Sequence, residues 1–98
     1  MNFNDYLKLH KLGHFNQAEK GYRSLLKQKN IDPLIYTSLG LICIKTNREE
    51  EAIKLFIKAI KNNAQDDVAI NNLGLIYLSK KEYQKAKKYF FDSIKIKK

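Results

Sequence analysis

Leu39-Gly40-Leu41-Ile42 returns as Leu73-Gly74-Leu75-Ile76, and the 34-residue interval between the two copies decides the fold. In the same register Ala52 meets Ala86, Lys54 meets Lys88, Phe56 meets Phe90, Ile60 meets Ile94 and Lys61 meets Lys95. A further step back places Leu7 under Leu41, Lys11 under Lys45, Ala18 under Ala52 and Tyr22 under Phe56. A fixed period of this size marks a chain of stacked supersecondary units, each too small to bury its apolar face alone. The units run approximately 1–32, 33–66 and 67–98, within a single domain spanning 1–98.

Local patterning makes those units helical. Ile53, Phe56, Ile57 and Ile60 recur at spacings of three and four, the stripe of a 3.6-residue period, and Val68, Ile70, Leu73, Tyr77 and Leu78 behave similarly. Asp32-Pro33 reads as a helix start, with an N-cap oxygen followed by a residue that needs no N–H. Asp66-Asp67 can serve the same role one unit later, with charges that suit a helix N-terminus. Gly13, Asn47 and Lys81 fall at equivalent turns; the first two suit a left-handed C′ residue and the lysine does not. Six helices are predicted, over 3–12, 15–29, 33–45, 49–62, 67–79 and 83–97. Consecutive pairs should form antiparallel hairpins, with Gly40, Gly74, Ala18, Ala52 and Ala86 at the close approaches. Phe56, Phe90 and Tyr22 should fill the space between hairpins. The fold class is all-α, a short α-solenoid of three antiparallel helix-turn-helix repeats.

Composition narrows the function. The single cysteine, Cys43, rules out an internal disulfide and lies between apolar residues, as a small buried hydrophobe does. The longest uncharged apolar run, Leu39 to Ile44, falls far short of the ~20 residues that span a bilayer. The opening residues lack the basic start and apolar core of a signal peptide, so a cytoplasmic location is expected, with no membrane insertion. The net charge of +9 is uneven. Lys/Arg outnumber Asp/Glu six to three over 1–32, five to four over 33–66 and eight to three over 67–98, ending Lys95-Ile96-Lys97-Lys98.

No constellation reads as catalytic. His10 and His14 stand four apart, but a turn at Gly13 intervenes and neither a third ligand nor a Glu partner is near. Glu49-Glu50-Glu51 reads as a solvated first helical turn, and no glycine loop cradles a phosphate. Neither a cofactor nor a metal is expected, and the chain is not expected to be an enzyme.

The pattern resembles the tetratricopeptide repeat, whose unit of about 34 residues carries a Leu-Gly pair in its first helix. The second unit supplies Tyr36, Leu39-Gly40, Ala52, Phe56 and Ala59; the third supplies Ile70, Leu73-Gly74, Tyr77, Ala86, Phe90 and Ser93. In the first unit Tyr6 stands where the glycine is expected and Leu25 replaces a small residue, so that unit reads as degenerate. The resemblance implies a right-handed superhelix whose first helices line a concave groove. That groove would collect Phe3, Asn4 and Leu7 from unit one, and Leu34, Thr37, Ser38, Leu41, Ile44 and Lys45 from unit two. Unit three would add Val68, Asn71, Asn72, Leu75 and Leu78.

The implied function is a protein–protein interaction scaffold that takes a peptide or helix of a partner protein in an apolar groove. Asn4, Ser38 and Asn72 share one register, where relatives of the sugar-transferase type grip a peptide backbone with an asparagine ladder that the serine here interrupts. The clamp for a terminal carboxylate found in chaperone-tail binders is not matched by Phe3, Leu7, Ser38, Val68 and Asn72. The family usually adds a further polar-faced helix after its last repeat, which leaves homo-oligomerisation through the C-terminal repeat as an expectation. Two other readings stay open: a substrate-presenting module that works with a transferase, and a nucleic-acid binder using Lys54, Lys58, Lys61, Lys81, Lys85 and Lys88. Nucleic acid is disfavoured because those lysines follow the solvated stripes of helices.

Overall fold

A computed structural model describes residues 1–29 and 31–96. Its six helices are α1 (Phe3–Lys11), α2 (Phe15–Leu25), α3 (Leu34–Lys45), α4 (Glu49–Asn62), α5 (Asp67–Ser79) and α6 (Tyr83–Ile96), with no strand among the described residues. The expected end of the last helix at residue 97, and the lysines at 97 and 98, lie outside the described residues. Helices pair as α1–α2, α3–α4 and α5–α6, and the three hairpins stack in chain order.

The helix ends follow local chemistry. Asn2 caps α1 reciprocally: its side chain accepts from the Asp5 amide at 3.1 Å while the Asp5 carboxylate accepts from the Asn2 amide at 2.8 Å. Asp32 caps the α3 start by accepting from the Leu34 amide at 3.0 Å, and Asp66 accepts from the Ala69 amide at 3.0 Å. All three hairpin turns are the same Schellman closure. The amides of His14, Arg48 and Glu82 donate to the carbonyls of Leu9, Cys43 and Tyr77 at 2.9, 2.7 and 2.9 Å. Each closure needs a left-handed residue, and Gly13, Asn47 and Lys81 supply it with φ of 87°, 60° and 62°. Lys81 therefore takes a conformation its side chain disfavours, held there by the two bonds of the closure.

The first helix ends and the third begins within one residue of expectation, and one boundary differs by more. The predicted run of the second helix to residue 29 stops at Leu25, beyond which the amides of Lys27 and Gln28 donate only three residues back. Lys27, Gln28 and Lys29 are exposed and offer no apolar face to pack, so the last turn tightens and frays.

The core runs through all three hairpins, with Tyr22, Phe56, Leu39, Ile42, Leu73 and Cys43 fully buried. Gly40 and Gly74 let the ring of the facing helix approach: a Cβ added to either would lie 2.6 Å from Phe56 or Phe90. The first unit, which lacks that glycine, solves the same approach in reverse. Tyr6 lies on Gly21 of α2, where an added Cβ would sit 2.1 Å from the ring.

First helices touch along the stack, α1 to α3 and α3 to α5, whereas the backbones of α2 and α4, and of α4 and α6, do not approach. Stacked hairpins with that asymmetry bend toward their first helices, which places α1, α3 and α5 on the inner side. Long charged side chains bridge the wider outer seam between the first two units. Glu19 accepts from Arg48 at 2.8 and 2.5 Å and from Arg23 at 3.0 Å, and Arg23 also pairs with Glu51.

Candidate functional site

The inner side is the candidate site, and its character comes from two helices of unusual composition. Each of α3 and α5 contains a single charged residue, Lys45 and Asp67, and both are apolar almost all the way round. A helix of that kind is normally enclosed on every side. Here most of the circumference is enclosed, by the paired second helix and by neighbouring units, but one stripe is open. On α3 the stripe holds Leu34, 49% exposed, with Leu41 and Ile44 half-buried. On α5 it holds Val68, Leu75 and Leu78, exposed by 49, 50 and 45%. Leu34 and Val68 occupy the same register of their units, so open aliphatic side chains recur along the stack.

The other expected groove residues divide. Phe3 and Leu7 are half-buried, Asn4 and Lys45 are exposed, and Asn71 and Asn72 are partly covered. Thr37 and Ser38 are buried at 4 and 7% exposure and face neighbouring units rather than an open groove. The Thr37 hydroxyl donates to the carboxylate of Asp66, the residue that also caps α5, and so ties the second unit to the third. Ser38 interacts with the Tyr22 hydroxyl and ties the second unit to the first. Asn72 spends its amide on the Val68 carbonyl of its own helix at 2.8 Å. The register of Asn4, Ser38 and Asn72 therefore does not present three free polar groups in a row.

Two polar arrangements lie away from the open stripe. His10 sits edge-on to Phe15 and Tyr22, with its Nδ1 3.4 Å from the Tyr22 hydroxyl, and burial lowers its pKa. His14 is exposed at the start of α2, so the two histidines share no site. On the outer seam, hydrogen bonds from Arg48 hold the Glu19 carboxyl below its usual value of 4.5, against the opposing effect of burial. Glu49, Glu50 and Glu51 are more than a solvated turn. Glu51 joins that seam, while Glu50 receives Lys80 of the third unit at 2.6 Å and Glu49 lies 4.0 Å from it. Among the described residues no group of three or more His, Cys, Asp or Glu could hold a metal ion, and no helix is long and apolar enough to cross a membrane.

A second apolar surface lies at the C-terminal repeat, which the sequence marks as a contact edge without singling out its side chains. Tyr83, Phe91 and Ile94 of α6 are exposed and, with Phe90, line a shallow cavity that reaches Leu78. The signal was present in the 34-residue register. Leu75, Leu78 and Ile94 repeat Leu41, Ile44 and Ile60, and the next unit covers only the earlier set.

Comparison with known proteins bears on the repeat itself. The family model described as Tetratricopeptide repeat matches residues 34–66 and 68–98, the second and third units. No curated protein matches the chain.

Proposed function

The chain belongs to the tetratricopeptide repeat family, and from that premise we propose that it is a non-catalytic scaffold whose inner, first-helix side binds a partner's apolar helix or extended peptide. Repeats of this family generally mediate protein–protein interaction. The observation that carries the specific reading is the open stripe on helices otherwise apolar all round, with Leu34 and Val68 in register and half exposed. Aliphatic area of this kind gains ~25 cal/mol per Å² on burial, so a few such side chains support micromolar binding after the costs of association. Thr37 and Ser38 are committed between units, so recognition rests on shape and apolar contact more than on backbone-gripping polar groups.

Leu34→Asn with Val68→Asn tests this without disturbing the core, because both side chains already stand half in water. Peptides selected against the parent protein should bind the double variant at least tenfold more weakly, with unchanged thermal unfolding, and should keep most of their affinity at 0.5 M salt. Peptides that bind both proteins equally would move the site off the inner side. Affinity that collapses with salt would favour the lysine stripes and a polyanionic ligand.

A further inference from the structure

The stack contains its own template for what sits on the α5–α6 edge. In the second unit, Leu41, Ile44, Ile53 and Ile60 form the edge on which α5 packs, and there Ile53 is buried and the other three half-buried. The same registers in the third unit hold Leu75, Leu78, Lys87 and Ile94, all exposed; Phe91, 53% exposed, stands at the rim, at the register of Ile57, which stays 37% exposed beside α5. Three of the four apolar positions are thus repeated, and the repeat-to-repeat interface continues to this edge. Clustered exposed apolar side chains on an otherwise polar surface mark contact sites.

What differs is charge. α4 opens with Glu49-Glu50-Glu51, which meets Lys80 of the following unit; α6 opens with Tyr83-Gln84-Lys85 at the same registers. Lys87 replaces Ile53 at the middle of the edge, its Nζ 5.8 Å from the Phe91 ring centre, with Lys88 and Lys95 exposed on the same helix. No ion pair holds these three lysines among the described residues.

That charge also argues against a second copy as the occupant. Two such edges face to face would bring Lys87 against Lys87 in a chain of net charge +9. Head to tail, the copy would offer α1. At the registers where α5 buries Ala69, Leu73 and Ile76, the first unit has Met1, before the start of α1, and Asp5 and Lys8 within it.

We propose that the α5–α6 edge, built on Leu75, Leu78, Phe90, Phe91 and Ile94, docks an amphipathic helix of a partner protein that carries acidic side chains beside its apolar stripe, seated as α5 is seated on α3 and α4. This goes beyond binding on the inner side and shares only Leu75 and Leu78 with it.

The test uses two synthetic helical peptides of about five turns with the same Ala/Leu/Ile stripe, one flanked by glutamates and one by lysines, titrated by fluorescence anisotropy. The glutamate peptide should bind the parent at least tenfold more tightly than the lysine peptide. Phe91→Glu, at an already exposed position, should abolish binding with unchanged circular dichroism, while Leu34→Asn with Val68→Asn should leave it intact. Lys87→Glu should reverse the preference between the two peptides, which a merely structural lysine would not do. Absence of binding, equal binding of both peptides, or indifference to Phe91→Glu would overturn the proposal. So would a dimer in sedimentation that Phe91→Glu dissociates, because a second copy would then hold the edge.

Discussion

The first and second units solve one packing problem in opposite ways. In the second unit the ring belongs to the second helix and the gap to the first, Phe56 on Gly40; in the first unit the ring is Tyr6 of the first helix and the gap is Gly21 of the second. Both arrangements let two helices approach to the distance of one ring on one bare backbone. The contact, not the residue at a given motif position, is what the fold requires. A unit that departs from the repeat pattern at Tyr6 is therefore a complementary hairpin rather than a damaged one. The seams differ in degree. Units one and two are joined by a network of two carboxylates and two guanidinium groups, Glu19, Arg23, Arg48 and Glu51, whereas units two and three are joined by Lys80 on Glu49 and Glu50 and by Thr37 on Asp66.

The largest effect should come from removing the ring at the centre of the stack. Phe56→Ala leaves a fully buried cavity and should cost about 3–5 kcal/mol in urea unfolding, whereas Tyr6→Ala, at a half-buried ring in the end unit, should cost about half as much. Equal losses would mean that the end unit is as tightly enclosed as the middle one. Next is a transplant of the second unit's solution into the first. Tyr6→Gly and Gly21→Leu should each destabilise by about 2 kcal/mol, and the double variant should recover at least ~1 kcal/mol of the summed loss. Strict additivity would show that ring and gap do not form one contact.

The charged seam should matter less, and only above acidic pH. Glu19→Gln should cost about 1–2 kcal/mol at pH 7, because the arginines facing it are partly exposed. The Glu19 pKa is held below 4.5 in the folded chain, chiefly by its hydrogen bond from Arg48. Its stabilisation is therefore present above 4.5 and lost as pH falls through the depressed folded value. The parent's urea midpoint should fall through that window, and the variant's should lose less. Parallel curves would show that Glu19 is not the titrating group. The smallest effect compares the three turns: Lys81→Gly should stabilise by about 1 kcal/mol and Asn47→Gly by a few tenths, read as thermal midpoints. A loss at Lys81 would show that its side chain contributes more than its strained backbone costs.

Much of this architecture was legible in the chain because it is local. Helix starts at Asp32 and Asp66, left-handed turns at Gly13 and Asn47, and the apolar stripes all act within a few residues, and the 34-residue register repeats them. The candidate site was legible only in part. Leu34 and Val68 stand open as their register implies, but Thr37 and Ser38 share the same stripe and are buried. A first helix meets both its hairpin partner and the first helices of adjacent units, and which registers those neighbours cover depends on crossing geometry that no spacing encodes. The exposed residues of the α5–α6 edge were not legible for the same reason, since exposure there depends on what packs against it.

By itself the sequence determined the period, the number of helices and most of their ends, and the family, because hydrogen-bond closure and side-chain periodicity act along the chain. Only the tertiary structure decided that Gly21 answers Tyr6, that Glu19 gathers two arginines from different units, and that Thr37 is spent on Asp66. Apart from Arg23 on Glu19, four residues along one helix, those pairings join residues 15 to 29 positions apart and come into being only when whole helices meet.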